Sequence, residues 1–239
     1  MAASSRDTPP FRADHVGSLL RSPQLKRARA DFKAGSIDAE DLRQVEDESI
    51  RNAIALQNEL GLKSVTDGEL RRTSWHMDFI YQLGGVEQDD RETQHSHFRN
   101  NERTYEFAPP TARVTGAVHL KKPIFADDFA FVRDNAADGQ TPKLTIPAPS
   151  MIHLRSGDPA IDAAAYPDLE EFWIDLAAAY GAELSAIYGL GCRHIQLDDV
   201  SLAYVNDPNE RRKIEALGGD PLHMHERYIA ASNASLKGR

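Results

Sequence analysis

The chain has 239 residues, 41% of them hydrophobic, with 28 Lys+Arg against 37 Asp+Glu and a formal net charge of -9. That composition supports a sizeable core. It contains no apolar run long enough to span a bilayer, and an acidic chain is a poor partner for nucleic-acid phosphates. A single cysteine, Cys192, rules out an intrachain disulfide and a cysteine-rich zinc site within this chain, so a cytoplasmic setting is expected.

The leading MAASSRDTPP predicts a disordered leader over residues 1–10, without the apolar core of a secretory signal. Phe11–Ser18 predicts a short strand running into a glycine turn. Pro23 opens a helix to about Ala34, with Gly35 behind it as C-cap. Asp38 is the N-cap of a second helix. Its apolar side is predicted at Leu42, Val45, Ala53, Leu56 and Leu60, with Ser49 filling the gap, and Gly61 ends it. Leu62–Thr66 predicts a strand closing on Asp67-Gly68-Glu69. Thr73 or Ser74 caps a further helix through Leu83, stopped by Gly84-Gly85, and residues 86–104 read as a polar excursion loop. Ala112–Leu120 predicts a strand passing Gly116. A helix over Asp127–Ala137 and a strand over Lys143–Ile146 follow, the strand ending at Pro147-Ala148-Pro149. The longest helix is apolar at Leu169, Trp173, Leu176, Tyr180, Leu184 and Ile187. Cys192–Leu197 is the last strand, ending on Asp198-Asp199, and two helices near 208–217 and 221–236 close the chain.

Short strands alternating with long helices predict a parallel α/β fold in a single domain over residues 11–239. In such folds ligands bind where strands end and helices begin. That rule selects His15-Val16-Gly17-Ser18, Asp67-Gly68-Glu69, Pro147–Ser150 and Asp198-Asp199. Each also has a plain structural explanation. Asp-Gly is a common turn, Asp198-Asp199 suits a helix N-cap, and a lone His15 is more often hydrogen-bonded structure than catalyst. Carboxylates at one strand mouth suit an amino group, and glycine-rich backbone N–H groups suit a carboxylate, so together they describe a pocket for a small amino acid. GxGxxG, GxxxxGK[ST], GxSxG and HExxH are all absent. His95-Ser96-His97 falls in the polar excursion, and His223-Met224-His225 puts its two histidines on different helix faces. Cys192 reads as a buried core residue, and Trp75 and Trp173 as core or pocket wall.

Four stretches in order carry a family resemblance: RADHVGSLLRSPQL, GLKSVTDGELRRTSWHMDF, LTIPAPSMIHLR and CRHIQLDDVSLAYV. Together they resemble the cobalamin-independent methionine synthases, in particular short single-barrel bacterial members. The resemblance implies a (β/α)8 TIM-type barrel. It also implies zinc-dependent transfer of a methyl group from methyltetrahydrofolate to the homocysteine thiol, the zinc presenting a thiolate. It implies that Ser18 and the Gly17 backbone hold the amino-acid carboxylate and that Glu69 and Asp198 bind its ammonium, with His15 beside them. Folate would lie across the barrel mouth, against the Pro147–His153 loop. The family's zinc ligands are two cysteines, a histidine and a glutamate, beginning with a His-x-Cys motif on a strand that would follow Leu236. They are therefore expected beyond Arg239, with no metal site in this chain. Related zinc-dependent epoxide:thiol transferases and a non-catalytic amino-acid-binding module are the alternatives. Strands near residues 13, 63, 113, 144 and 194 predict an incomplete barrel of about five βα units. Its open edge would be covered by further sequence or by a second chain, as a homo-oligomer or a complementing polypeptide. The other expected partners are small molecules, homocysteine and folate, with no nucleic acid and no membrane.

Overall fold

A computed structural model of the protein describes residues 8–89, 96–99, 104–107, 111–154 and 157–237. The helices are α1 (Pro23–Lys33), α2 (Ala39–Glu59), α3 (Met77–Ile80), α4 (Ala126–Asn135), α5 (Leu169–Gly189), α6 (Ser201–Tyr204), α7 (Pro208–Ala216) and α8 (Met224–Ser235). The strands are β1 (Ser64–Val65), β2 (Leu83–Asp89), β3 (Ser96–Arg99), β4 (Thr104–Phe107), β5 (Thr111–Leu120), β6 (Thr141–Pro147) and β7 (His194–Asp198). Among the described residues, no helix is long and apolar enough to cross a membrane. The chain gathers into two compact units, each assembled from three separate stretches.

The first unit takes Met1–Trp75, Phe125–Ile146 and Ala186–Asp198. Ser22 caps α1 by accepting from the Leu25 N–H (3.1 Å), and Asp38 and Asp41 form a reciprocal capping box at the start of α2. The sheet is parallel and ordered β1-β6-β7, with Ser64 opposite Thr141. Its apolar layer packs Val65 against Leu25, Ile50, Ala53, Ile54 and Val132. The buried face of α2 is therefore rotated from the predicted stripe. Leu56 and Leu60 are exposed, whereas Glu46, Ile50, Ala53, Ile54 and Gln57 are inside. Two of those inward positions carry polar side chains with defined partners, which hid the true face from an apolar count.

The alternate positions of the strands are polar: Ser64 and Thr66, Lys143 and Thr145, His194, Gln196 and Asp198. Period-two alternation places each strand's set on one face. Residues 14–17 are bonded to that face. Lys143 Nζ donates to the His15 carbonyl (2.5 Å), Thr145 Oγ1 to the Val16 carbonyl (2.6 Å) and Thr66 Oγ1 to the Gly17 carbonyl (2.9 Å). Phe11–Ser18 is thus no strand, contrary to the sequence reading: its carbonyls are taken by side chains rather than by a neighbouring ladder.

The second unit takes His76–Ile124, Pro147–Ser185 and Asp199–Arg239. Here β5 pairs antiparallel with β2, not with the parallel strands, so Gly116 does not sit at a parallel-strand mouth. Gly116 lies under Gly85 (φ +75°), where an added β-carbon would stand 2.4 Å from the Gly116 carbonyl oxygen. The predicted helix to Leu83 shrinks to the short α3, because Leu83 is drawn into pairing with Leu120. The predicted excursion loop contains strand: β2 extends to Asp89, and β3 and β4 pair antiparallel. Main-chain pairing, which leaves no apolar period, sustains these strands. The predicted His95 lies outside the described residues. Tyr180, Phe172 and Leu176 of α5 and Tyr228 of α8 are fully buried in this unit.

Candidate active site

The site is built at the C-terminal ends of β1, β6 and β7 in the first unit. After β1 the chain turns through Gly68 (φ +68°) and Glu69 (φ +54°), the latter the one left-handed non-glycine among the described residues. Such a backbone costs roughly 1–3 kcal/mol and persists only when its surroundings hold it. The holders are visible. The Glu69 N–H donates to Asp67 Oδ1 (2.9 Å), and the Leu19 N–H to the Gly68 carbonyl (2.9 Å). Arg21 donates to the carbonyls of Glu69 (3.1 Å) and Arg72 (2.6 Å), and Arg29 to those of Leu70 (2.5 Å) and Arg72 (2.8 Å).

This clamp leaves the Glu69 carboxylate 2% exposed. Burial raises its pKa. Arg72, with Nη1 3.5 Å from Oε1, opposes the rise, and the charges of Asp67 and Asp198 reinforce it. Arg72 is itself committed elsewhere: it donates to the Thr145 carbonyl (2.6 Å) and stacks on the Phe125 ring at 4.3 Å. Glu69 is thus an acid held in a dry place, with a second carboxylate, Asp198, near enough to be felt. Gln196 donates to Asp198 Oδ1 (2.5 Å) and so fixes it at the end of β7.

Gly17 completes the site. A β-carbon on Gly17 would lie 2.6 Å from Thr145 Oγ1 and 3.3 Å from Glu69 Oε1, so the backbone passes directly beside the carboxylate. The carbonyls of residues 15–17 are all satisfied by side chains. Among the described residues, the Gly17 and Ser18 N–H groups meet no acceptor. A rigid pair of unclaimed donors next to a buried carboxylate complements a small ligand with both charges. The hold on this segment is testable at Thr145, which is 3% exposed. Thr145→Val keeps the shape and orphans the Val16 carbonyl. The expected loss is about 1–2 kcal/mol in urea unfolding, and an unchanged midpoint would show that the bond contributes nothing.

His15 is hydrogen-bonded to α2. Its Nε2 meets Gln57 Oε1 (2.8 Å), while the Gln57 amide donates to the carbonyls of Ala53 (3.0 Å) and Thr66 (2.9 Å). The His15–Gln57 bond ties the segment to α2. At the opposite, N-terminal end of the strands, Asp14 accepts from Ser64 and from Lys143 (3.0 Å), with His194 3.7 Å away. Burial pushes the His194 imidazole down, Lys143 adds to that, and Asp14 opposes it. This end of a barrel-type sheet serves stability rather than chemistry. In the second unit Asp199 takes up the capping role, accepting from the Ser201 N–H (2.7 Å).

The residues missed by sequence reasoning are Thr66, Thr145, Gln57, Arg21, Arg29 and Arg72. A signal existed for the threonines, which stand at alternate positions of strands whose other positions are apolar. None existed for the arginines, whose partners are backbone carbonyls.

Residues 11–216 match the cobalamin-independent synthase catalytic domain. The chain belongs to the cobalamin-independent methionine synthase family. YxjH of Bacillus subtilis, itself uncharacterized, is 42% identical over 230 residues, covering 96% of this chain and 59% of that protein. A solved structure from Listeria monocytogenes, described as a vitamin-B12-independent methionine synthase, is 36% identical with a TM-score of 0.78. It covers 97% of this chain and 63% of that one. The methionine synthase of Sulfolobus acidocaldarius is 25% identical over 78% of this chain and 51% of its own length. The fold is accordingly the α/β barrel class of that family. The chain spans about 60% of the length of the first two relatives.

The zinc implied by the family resemblance does not fit the described residues. No three His, Cys, Asp or Glu side chains among them gather to hold a metal. Cys192 is buried at the entry to β7, its thiol donates to the His194 carbonyl (3.3 Å), and burial pushes its pKa up, away from the thiolate a metal needs.

Proposed function

We propose that this chain carries the amino-acid-binding part of a homocysteine S-methyltransferase that works without cobalamin. Methyltetrahydrofolate would be the methyl donor, methionine the product and the cytoplasm the setting. Relatives named as methionine synthases support the class. So does a 78-residue match, at 32% identity, to the 5-methyltetrahydropteroyltriglutamate–homocysteine methyltransferase of Thermotoga maritima. The observation that carries the reading is the Gly17–Glu69 approach: unclaimed backbone donors and a buried carboxylate within reach of one amino acid.

In this reading the Gly17 and Ser18 N–H groups hold the substrate carboxylate. Glu69 and Asp198 hold its ammonium, and the burial of Glu69 strengthens its contact. Thr145, Thr66 and Lys143 fix the donor segment, and Arg21, Arg29 and Arg72 fix the acceptor turn. The chain's part is binding and orientation.

Titration calorimetry tests the claim with homocysteine and two truncated analogues, 4-mercaptobutyrate without the ammonium and 3-aminopropanethiol without the carboxylate. Homocysteine is expected to bind saturably and each analogue at least about tenfold more weakly, the effect of losing one charge-assisted contact. Equal binding of either analogue would overturn the assignment of the corresponding half-site.

A further inference from the structure

The second unit contains an open cleft of about 580 Å³ that the proposed amino-acid site does not use. Its wall includes Trp173, and its rim carries Asp158, Glu170, Asp220 and Glu226. Against these four carboxylates stands one permanent cation, Arg227. Its guanidinium lies 5.9 Å from the centre of the Trp173 ring, with Nη1 2.5 Å from Glu170 Oε1. The two histidines do not reverse the balance. His153 is buried and uses both ring nitrogens, on Tyr228 OH (2.9 Å) and Asp158 Oδ1 (2.8 Å). His223 is fully exposed and bonded to Asp220, which raises its pKa.

We propose that this cleft is a binding site for a small organic cation with a flat guanidinium-type head, and that Arg227 occupies the ligand's place when the site is empty. The protein's own guanidinium shows that the ring and Glu170 together accept that group. An aromatic face and a carboxylate converging on one point are what such a cation needs. The resident is loosely held: the Arg227 and Glu170 side chains are 44% and 62% exposed, and an exposed pair of this kind is easily exchanged. The floor beneath is rigid, since Trp173 packs on His153 (5.2 Å) and Tyr228 (6.0 Å), and Tyr228 is fully buried. This proposal does not rest on the amino-acid-binding reading, which is argued from the other unit.

The probe is agmatine, with N-carbamoylputrescine as control, which keeps the terminal ammonium but has a neutral urea in place of the guanidinium, followed by tryptophan fluorescence. The chain has two tryptophans, so Trp75→Phe leaves Trp173 as sole reporter. Saturable quenching by agmatine and none by the urea analogue is the expected result. Arg227→Ala should tighten agmatine binding about tenfold by vacating the ring, and Glu170→Gln should weaken it by a similar factor. Both substitutions are at exposed side chains, and an unchanged melting temperature confirms that each variant is folded. If agmatine fails to bind Arg227→Ala, or if the urea analogue binds equally well, the cleft is no guanidinium site.

Discussion

Gly17→Ala is expected to abolish amino-acid binding and to destabilise the first unit together. At φ +150° the backbone is one that side chains rarely adopt, and the new methyl would stand 2.6 Å from Thr145 Oγ1. Neither neighbour is free to yield. Thr145 is tied to the Val16 carbonyl at 2.6 Å, and Gly17 is tied through its own carbonyl to Thr66 at 2.9 Å. Overpacking and backbone strain each cost about 1–3 kcal/mol, so a loss of about 2–6 kcal/mol is expected in denaturant unfolding. Homocysteine affinity should fall at least about a hundredfold, since the methyl also points at the Glu69 carboxylate, 3.3 Å away, where the ammonium would sit. A double-mutant cycle with Thr145→Ala separates the causes. Removing the hydroxyl should make the Gly17→Ala penalty smaller in the double variant. Strict additivity, with binding retained in Gly17→Ala, would show that the close approach has no role.

The same segment shows what the sequence made legible. Glycines, Asp-Gly-Glu and the Asp-Asp pair marked the strand mouths, because tight backbone turns and charged groups are written in single residues. Helices α1, α2 and α5 were legible from caps or apolar spacing, and α4, α7 and α8 were expected close to where they lie. Phe11–Ser18 was misread because the pattern of an extended chain does not say whether a ladder or side chains will satisfy it. The strand β5 was misplaced for a related reason. Its alternation identifies a strand, but parallel and antiparallel partners leave the same mark, and only the Leu83–Leu120 register settles which sheet receives it. The buried face of α2 was hidden because Gln57, inside the core, bonds to His15 and to the Thr66 backbone. The polar residues that misled the apolar count on α2 are the ones that support the site.

Glu69→Gln should remove amino-acid binding while leaving the empty protein as stable as before, or more stable. Burial disfavours the charged carboxylate and is the leading effect; Arg72 and Arg21 oppose it, Asp67 and Asp198 add to it, and the folded-state pKa lies above the unfolded value. The sign of the linkage follows. A raised pKa means that the folded chain holds its proton more tightly than the unfolded one. The stability Glu69 contributes is then full below its ordinary unfolded pKa and is lost as pH rises through the raised folded value. Above that value the charge is a burden, which a neutral amide removes. Ligand binding runs the other way. An ammonium prefers the ionised carboxylate, so homocysteine affinity should rise with pH through the Glu69 titration and release a proton in doing so, visible as a buffer-dependent calorimetric enthalpy. In Glu69→Gln the affinity should drop at least about tenfold and this pH dependence should flatten, because a charge-assisted contact has become a neutral one. Asp198→Asn should weaken binding less, since Asp198 is partly exposed and water screens it. It should also move the titration of Glu69 downward by removing a neighbouring negative charge. A Glu69→Gln variant that binds homocysteine as the parent does, with the same pH profile, would place the ammonium elsewhere. One that loses binding only because it has unfolded would show instead that the Arg72 pairing, and not the waiting ammonium, is why a carboxylate stands in this turn.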